Sequence, residues 1–368
     1  MDEKNTINTS KEIRWGDWYF RNHVLPDEFD YRVHKKELSP YYLKHGFNVS
    51  MMYNDYFSSF NGIESDKYMS VDLYYFYAMP CLNKHDFKIA YSDKNLYPKI
   101  FPGKQQPESI IKCMNGILYT QDNTIVSVED AVSVLLKDGK NCIIKPTVDT
   151  CNGDGVSSFD NTNREIITDQ IKSYGNDFAV QKKLKACKEL EKLNPTSLNT
   201  IRICTYRALD KKVYYVPNSF LRIGGKGSVK DNVSSGGGSL HVSRDGSVGD
   251  RIFKYKSIKN GSLEQDYGHT NFVIPCFEAA ISFAIDLHDH LPYFDFVGWD
   301  IAILEDYTPA FIEFNILPGV EAMQLTSGVI FGDYIDEVVE RIKQVKKSQK
   351  VYSINSFRPG FDLHLAAY

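Results

Sequence analysis

The stretch GWDIAILEDYTPAFIEFNILPG, residues 298–319, sets two runs of apolar, strand-forming residues around a short turn and places Asp300, Glu313 and Asn315 inside them. Short apolar runs of this kind, bounded by turn residues, read as buried strands. A carboxylate on a buried face is costly unless something pairs with it. If 297–303 and 310–316 form an antiparallel hairpin, side chains alternate between its two faces. Val297, Trp299, Ile301 and Ile303 then take one face, and Gly298, Asp300 and Ala302 the other. On the second strand Phe311, Glu313 and Asn315 share a face, opposite to Ile312, Phe314 and Ile316. A six-residue connection, 304–309, brings Asp300 opposite Glu313 and Gly298 opposite Asn315.

Two carboxylates that close repel by roughly a few kcal/mol at intermediate dielectric. A shared proton, an arginine or a cation can compensate. Hard oxygen ligands, two charged and one an amide, suit Mg²⁺, which takes its remaining ligands from water and substrate phosphates. The competing reading makes Asp300 a turn cap and Glu313 an exposed rim residue.

At 368 residues the chain is expected to form two or three lobes. Its 42% apolar and 24% charged content is that of a soluble globular protein. No segment approaches the roughly 18 uninterrupted apolar residues of a membrane span, and MDEKNTINTSKE has no apolar signal core. A cytosolic location is the expectation. The seven cysteines are scattered and lack a CxxC, so they read as reduced thiols. A net charge of −4 gives no basic footprint for nucleic acid. The 24 Tyr and 22 Phe, crowded into the first hundred residues, read as packed core.

Residues 1–90 mix helical and irregular signals, with EIRWGDWYF and SVDLYYFYAMP as apolar stretches, and carry no assignable chemistry. NCIIKP and DFAVQ read as buried strands, and KKLKACKELEKL as an amphipathic helix ended by Asn194 and Pro195. NTIRICTYR, KVYYVPNSFLRIG and GSLHVS are strand-rich and interrupted by SSGGGS; PCFEAAISFAIDLHDHL and GDYIDEVVERIKQVKK read as helices. Without a regular βαβ alternation, α+β lobes are favoured over a doubly wound sheet. GGKGS at 224–228 does not meet the phosphate-loop pattern, and GKGSVK fails GxGxxG. His288 and His290 do not share a helical face and read as structural, KQVKKSQK as a solvated helix end, and the lysines 182, 183, 185 and 188 as a solvated basic face.

In IIKPTVDTCNGDGV, Lys145 emerges from a buried strand before Gly153 and Gly155; a lysine there can serve a phosphate, and glycines let backbone N–H groups approach one, though an ordinary turn fits as well. The order of the pieces is more telling. SDKNLY, IIKPTVDTCNGDGV, FAVQKKLK, PTSLNTIRICTY, DNVSSGGGS, GWDIAI and PAFIEFNILPG together resemble the ATP-grasp superfamily, and within it the sugar-transfer-associated branch. The resemblance covers about 91–347.

The resemblance implies an ATP-grasp fold: two α+β lobes clamping ATP, at 91–184 and 185–350, after an N-terminal domain at 1–90 and before a tail at 351–368. It implies ATP and Mg²⁺ as cofactors. Lys94 and Lys145 match lysines on the nucleotide phosphates. Backbone around Lys183 and Leu184 matches the adenine hinge, where Gln181 replaces the usual acidic residue, and Glu189 is the candidate for the ribose hydroxyls. Asp300, Glu313 and Asn315 match the metal ligands. Arg202 matches the arginine facing the transferred phosphate, assisted by Asn199; a structural salt bridge is the competing reading for a strand arginine among apolar neighbours. Gly236, Gly237 and Gly238 would supply flexible donors over the second substrate.

The activity so implied is an ATP-dependent carboxylate–amine ligation through an acyl phosphate, acting on a small-molecule or glycan substrate such as a uronic acid, amino sugar or amino acid of a capsule or O-antigen. An ATP-dependent phosphotransferase and a non-catalytic nucleotide-binding scaffold are the alternatives.

Overall fold

The computed structural model describes residues 20, 24–26, 29–30, 37–148, 155–225, 227, 237–254, 261–262, 266, 268 and 271–348. Most of EIRWGDWYF, Cys151, Gly153, Gly236 and the tail at 351–368 lie outside the described residues.

The strand-rich segments build two antiparallel sheets. The first holds β1 (Ser109–Met114), β2 (Ile117–Thr120), β3 (Ile125–Val126), β4 (Cys142–Pro146), β5 (Ser157–Ser158) and β6 (Phe178–Lys182), in the order β3-β2-β1-β6-β4-β5. Two helices cover one of its faces, α1 (Val128–Asp138) and α2 (Arg164–Ser173). Each starts at a side-chain cap: Ser127 accepts from the Asp130 N–H and Asn163 from the Ile166 N–H. Alternation therefore sends Ile144, Phe178 and Val180 into that core and leaves Lys145, Ala179 and Gln181 on the other face.

The second sheet holds β7 (Ile201–Arg207), β8 (Val213–Ile223), β9 (Gly238–Val242), β10 (Val248–Phe253), β11 (Gly261–Ser262), β12 (Phe296–Ile303) and β13 (Pro309–Asn315), in the order β11-β10-β9-β8-β7-β12-β13. Helix α3 (Phe277–His288) and the aromatic pair Tyr97 and Phe101 pack on one face with Ile201, Ile203, Trp299, Ile301 and Phe311. On the opposite face, helices α4 (Val320–Ser327) and α5 (Ile335–Ser348) share one core with the described N-terminal residues, among them Tyr42, Tyr53, Phe57, Tyr68 and Tyr74. The crowded aromatics are packing there. No helix among the described residues is long and apolar enough to cross a membrane. The six described cysteines are free thiols.

The hairpin pairs Asp300 with Glu313 and Gly298 with Asn315, the register expected from the sequence. Its route differs. The connection is one residue shorter than expected, because Ile303 pairs with Pro309, Ala302 with Ala310 and Ile301 with Phe311, and a bulge at Ile312 restores the register. Phe311 consequently turns away from Glu313 into the core, its ring 4.7 Å from Phe101 and 6.0 Å from Trp299. Burying a phenylalanine instead of the smaller Ile312 favours the bulged path.

A second correction concerns 182–193. The expected helix is confined to Lys188–Leu193; Lys182 still belongs to β6, and Ala186 bridges Leu304 while the Cys187 N–H donates to the Ile303 carbonyl. The segment is spent on joining the two sheets.

His288 is a satisfied core histidine. Its Nε2–H donates to the Phe294 carbonyl at 2.7 Å, so Nδ1 accepts from the Thr205 hydroxyl at 2.6 Å, and Thr205 in turn accepts from Trp299 Nε1 at 2.7 Å. Burial pushes its pKa down to about 3.

Asn83 ties the N-terminal part to both strands of the hairpin: its Nδ2 donates to the Phe296 and Ile316 carbonyls, at 2.8 and 2.5 Å, and its Oδ1 accepts from the Phe296 N–H at 3.0 Å. Asn83→Ala strands three buried backbone groups. We expect it to lower unfolding free energy by about 2–3 kcal/mol, read as a lower urea midpoint at unchanged m-value.

Candidate active site

Three elements converge between the sheets. From the second sheet come Asp300 and, in register across β7 and β12, Arg202; Asp300 also faces Glu313 on β13. From the first sheet comes Lys145. The short 3₁₀ turn Lys94–Leu96 brings Lys94, and it is pinned locally: Asp93 caps the Asn95 N–H, Asn95 Nδ2 donates to the Cys113 carbonyl and Thr147 Oγ1 at 3.0 Å each, and the Lys94 N–H donates to the Thr147 carbonyl.

Asp300, 3% exposed, is held by two arginines. Arg202 Nε lies 2.5 Å from Oδ1 and its Nη2 3.1 Å from Oδ2, and Arg222 Nη1 lies 2.6 Å from Oδ2. Burial alone would raise the Asp300 pKa, but the two guanidinium groups outweigh it and hold the carboxyl below its usual range. Glu313 has its own partner, Lys94, at 3.2 Å. Basic side chains thus relieve the expected repulsion between the carboxylates, an arginine being among the compensations the sequence allows. Burial, and then the neighbouring Lys94, push the Lys145 ammonium down to about 8, with Glu313 opposing.

Local packing explains the glycine before Asp300. A Cβ at Gly298 would stand 2.9 Å from Pro318 Cβ and 3.1 Å from Arg202 Cδ, so GWD, LPG and the arginine strand require one another. Gly155 has φ +74°, and a Cβ there would meet Pro146 Cγ at 2.7 Å, next to Lys145.

The other expected residues fall into place unevenly. Gln181 shares the open face with Lys145; its Nε2 donates to Ser109 Oγ at 2.9 Å, and its buried Oε1 has no partner in the protein. Leu184 packs over Ala302, Leu304 and Ala310, on the face that bears Asp300. The Lys183 N–H is taken by the Asn141 carbonyl. Glu189 lies in the first turn of Lys188–Leu193, with Oε1 3.2 Å from the Tyr307 hydroxyl and a buried Oε2 without partner. Asn199 is fully buried: Nδ2 donates to the Leu190 and Asn194 carbonyls at 2.9 Å each, and Oδ1 accepts from Ser197 at 2.6 Å and the Gly224 N–H at 3.4 Å. All four of these bonds are to the chain itself and brace the loop after β8. Gly238 lies within a strand. It pairs with Ile223 inside β9, and a Cβ there would strike Ile252; Gly237 just precedes the strand.

Arg222 escaped the sequence reading. The signal was a single arginine at a strand end, FLRIGG, among apolar neighbours.

The donor set fits a magnesium nucleotide. Four basic side chains, Lys94, Lys145, Arg202 and Arg222, surround two carboxylates, which suits a polyphosphate. Glu313 and the Asn315 amide oxygen can hold a hard cation, and the buried, unpartnered Asn315 amide nitrogen is a donor suited to a phosphate oxygen. A carboxylate has about four acceptor positions, so the arginines leave Asp300 one, on Oδ1. Among the described residues no group of three or more His, Cys, Asp or Glu side chains gathers as a metal site, the third member here being an amide.

The chain matches the family described as sugar-transfer associated ATP-grasp over residues 79–338, starting earlier than the motifs alone indicated. No curated protein matches it. Among solved structures it is similar to D-alanine–D-alanine ligase from Bacillus anthracis (16% identity, 70% of this chain and 69% of that one, TM-score 0.37). It is also similar to N5-carboxyaminoimidazole synthase from Aspergillus clavatus (11%, 65% and 45%, 0.36). A third is the biotin carboxylase domain of 2-oxoglutarate carboxylase from Hydrogenobacter thermophilus (13%, 73% and 48%, 0.41). The chain spans about half the length of the last two. All three TM-scores are low, so the assignment rests on the family match, which covers more than half of the 368 residues. With the two antiparallel sheets facing across Lys94, Lys145 and the hairpin carboxylates, the chain belongs to the sugar-transfer associated ATP-grasp family and has the α+β ATP-grasp fold.

Proposed function

We propose that the protein is an ATP- and Mg²⁺-dependent carboxylate–amine ligase, acting on a sugar acid, amino sugar or amino acid in the assembly of a cell-surface polysaccharide such as a capsule or O-antigen. The observation that carries the proposal is the Lys94–Glu313 contact, which sets the buried Lys145 and the Arg202–Asp300 pair around one space. The family's description supports the link to sugar transfer.

By this proposal Lys94 and Lys145 bind and orient the triphosphate, and the Gln181 Oε1 acceptor takes the adenine amino group that an acidic residue would otherwise receive. Glu313, Asn315 and the open Oδ1 position of Asp300 hold Mg²⁺, which when bound supplies charge neutralisation at the phosphates. A substrate carboxylate oxygen attacks the γ-phosphorus and ADP leaves. Arg202 neutralises the charge carried by the transferred group. The amine then attacks the acyl carbon, phosphate departs and the nitrogen loses a proton, leaving an amide. No side-chain nucleophile is required, because positioning and charge supply most of the acceleration.

Three outcomes are expected. Supplying hydroxylamine with ATP and a panel of sugar acids and amino acids yields a hydroxamate from the activated acid; a stable phosphorylated sugar instead would identify a phosphotransferase. Glu313→Ala lowers magnesium-dependent ATP turnover by about 100-fold or more, and unchanged turnover would remove Glu313 from the site. Lys145 must be protonated to hold phosphate, and its ammonium titrates near 8 in the free protein. ADP affinity measured calorimetrically is therefore steady below that pH and falls as pH rises through it, by up to about tenfold per unit, and Lys145→Arg flattens the decline.

A further inference from the structure

Gln181 is 6% exposed, and one of its polar atoms is left to a ligand. Its Nε2 donates to the Ser109 hydroxyl at 2.9 Å, while its buried Oε1 has no partner among the described residues. A buried amide oxygen without a donor is costly, so an incoming donor group would be its natural partner. Strand pairing fixes where that amide stands. Ser109, Gln181 and Ile143 form one row across β1, β6 and β4, and Lys112, Ala179 and Lys145 form the next row on the same face. Two residues of strand separate the rows, about 7 Å. An amide and a cation so placed suit a ligand with a base at one end and phosphate at the other. The backbone N–H groups of Lys182 and Lys183 are already donated, to the Glu108 and Asn141 carbonyls, so neither reads that base.

The group that holds the amide works in both directions. A hydroxyl has one hydrogen to give and two lone pairs to accept with. Here Ser109 Oγ accepts from Nε2, and the amide presents its oxygen to the open face. The last torsion of a glutamine is roughly two-fold, so half a revolution about it puts Oε1 against Ser109 instead. The hydroxyl then donates to Oε1, and Nε2 is presented. Either arrangement keeps one hydrogen bond between the two side chains, so the ligand decides between them. A carboxylate in place of the amide has no such freedom, because it presents acceptors whichever way it turns.

We propose that Ser109 and Gln181 form a reversible reader of purine position 6, taking a 6-amino purine through Oε1 and a 6-oxo purine through Nε2, so that the protein binds nucleotides of both kinds. The inference rests on the nucleotide reading above and widens the class of nucleotide it admits. An amino group at position 6 needs an acceptor and an oxo group needs a donor; the amide offers each in turn. A carboxylate there would set acceptor against acceptor and reject the 6-oxo base. Gln181 is then the residue that reads the base, and Ser109 is the positioning residue that holds it in either orientation.

The test compares ADP with inosine diphosphate, each with Mg²⁺, by calorimetric titration of the full chain. The wild-type chain should bind the two within about tenfold of each other, and Gln181→Glu should widen the preference for ADP by about tenfold or more. Contacts to the rest of the base and to the phosphates are common to both proteins, so the change in ratio reports position 6. Ser109→Ala should weaken both nucleotides by a similar factor of a few. A wild-type preference for ADP above about tenfold overturns the reader, and this arm needs no variant to fold. A smaller widening in Gln181→Glu overturns it too, as does a Ser109→Ala chain that loses affinity for one nucleotide alone or for neither. A wild-type chain that binds neither nucleotide overturns the nucleotide reading and the reader together, whereas ADP binding with inosine diphosphate rejected removes the reader alone.

Discussion

Asp300 is a carboxylate almost wholly removed from water on the strand next to the edge of a seven-stranded sheet, and the rest of the site is arranged around keeping it charged. Such a group costs several kcal/mol to bury and is tolerated only when good geometry returns it. The return comes from strands on one side of it: Arg202 lies directly across the ladder on β7, and Arg222 reaches over from β8. Losing either arginine would leave charge poorly matched in a dry place, so three strands must keep their register together. The ion pair therefore specifies the sheet more than it stabilises it.

That constraint propagates outward through packing. The arginine side chain needs the room that Gly298 leaves, and Pro318 fills the remainder. Pro318 is fixed in turn by the Tyr74 hydroxyl, which donates to its carbonyl at 2.6 Å. Tyr74 belongs to the aromatic N-terminal part, whose core is continuous with α4, α5 and one face of the second sheet. The N-terminal residues are thus coupled to the chemistry through Pro318 and through Asn83 on the hairpin, without contributing an assigned group to it.

How much of this could be read in advance depended on whether the cause was local. The pairing of Asp300 with Glu313 followed from strand alternation, and the paired lysines and the hairpin motif carried the family. The path of the turn did not follow, because a bulge is selected by tertiary packing of Phe311, which alternation cannot weigh. The helix expected over 182–193 was half lost for a similar reason: its periodicity is real, but Lys185 to Cys187 find backbone partners in the β12–β13 turn, and those bonds prevail. The four hydrogen bonds of Asn199 to the chain are tertiary contacts that its place in the motif does not reveal. Arg222 was hidden since a lone arginine at a strand end is common, and only its distance to Asp300 distinguishes it.

The bulge at Ile312 has a mechanical corollary. Residues 304–312 can close between the same two carboxylates by either of two routes of equal chain length, and the choice is made by one ring settling among Tyr97, Phe101 and Trp299. The bridge from Leu304 to Ala186 sits on the tip of that hairpin, so the joint between the lobes inherits its position from an aromatic side chain deep in the core. Swapping that ring for a smaller one would remove the packing that selects this route while leaving the charged face untouched.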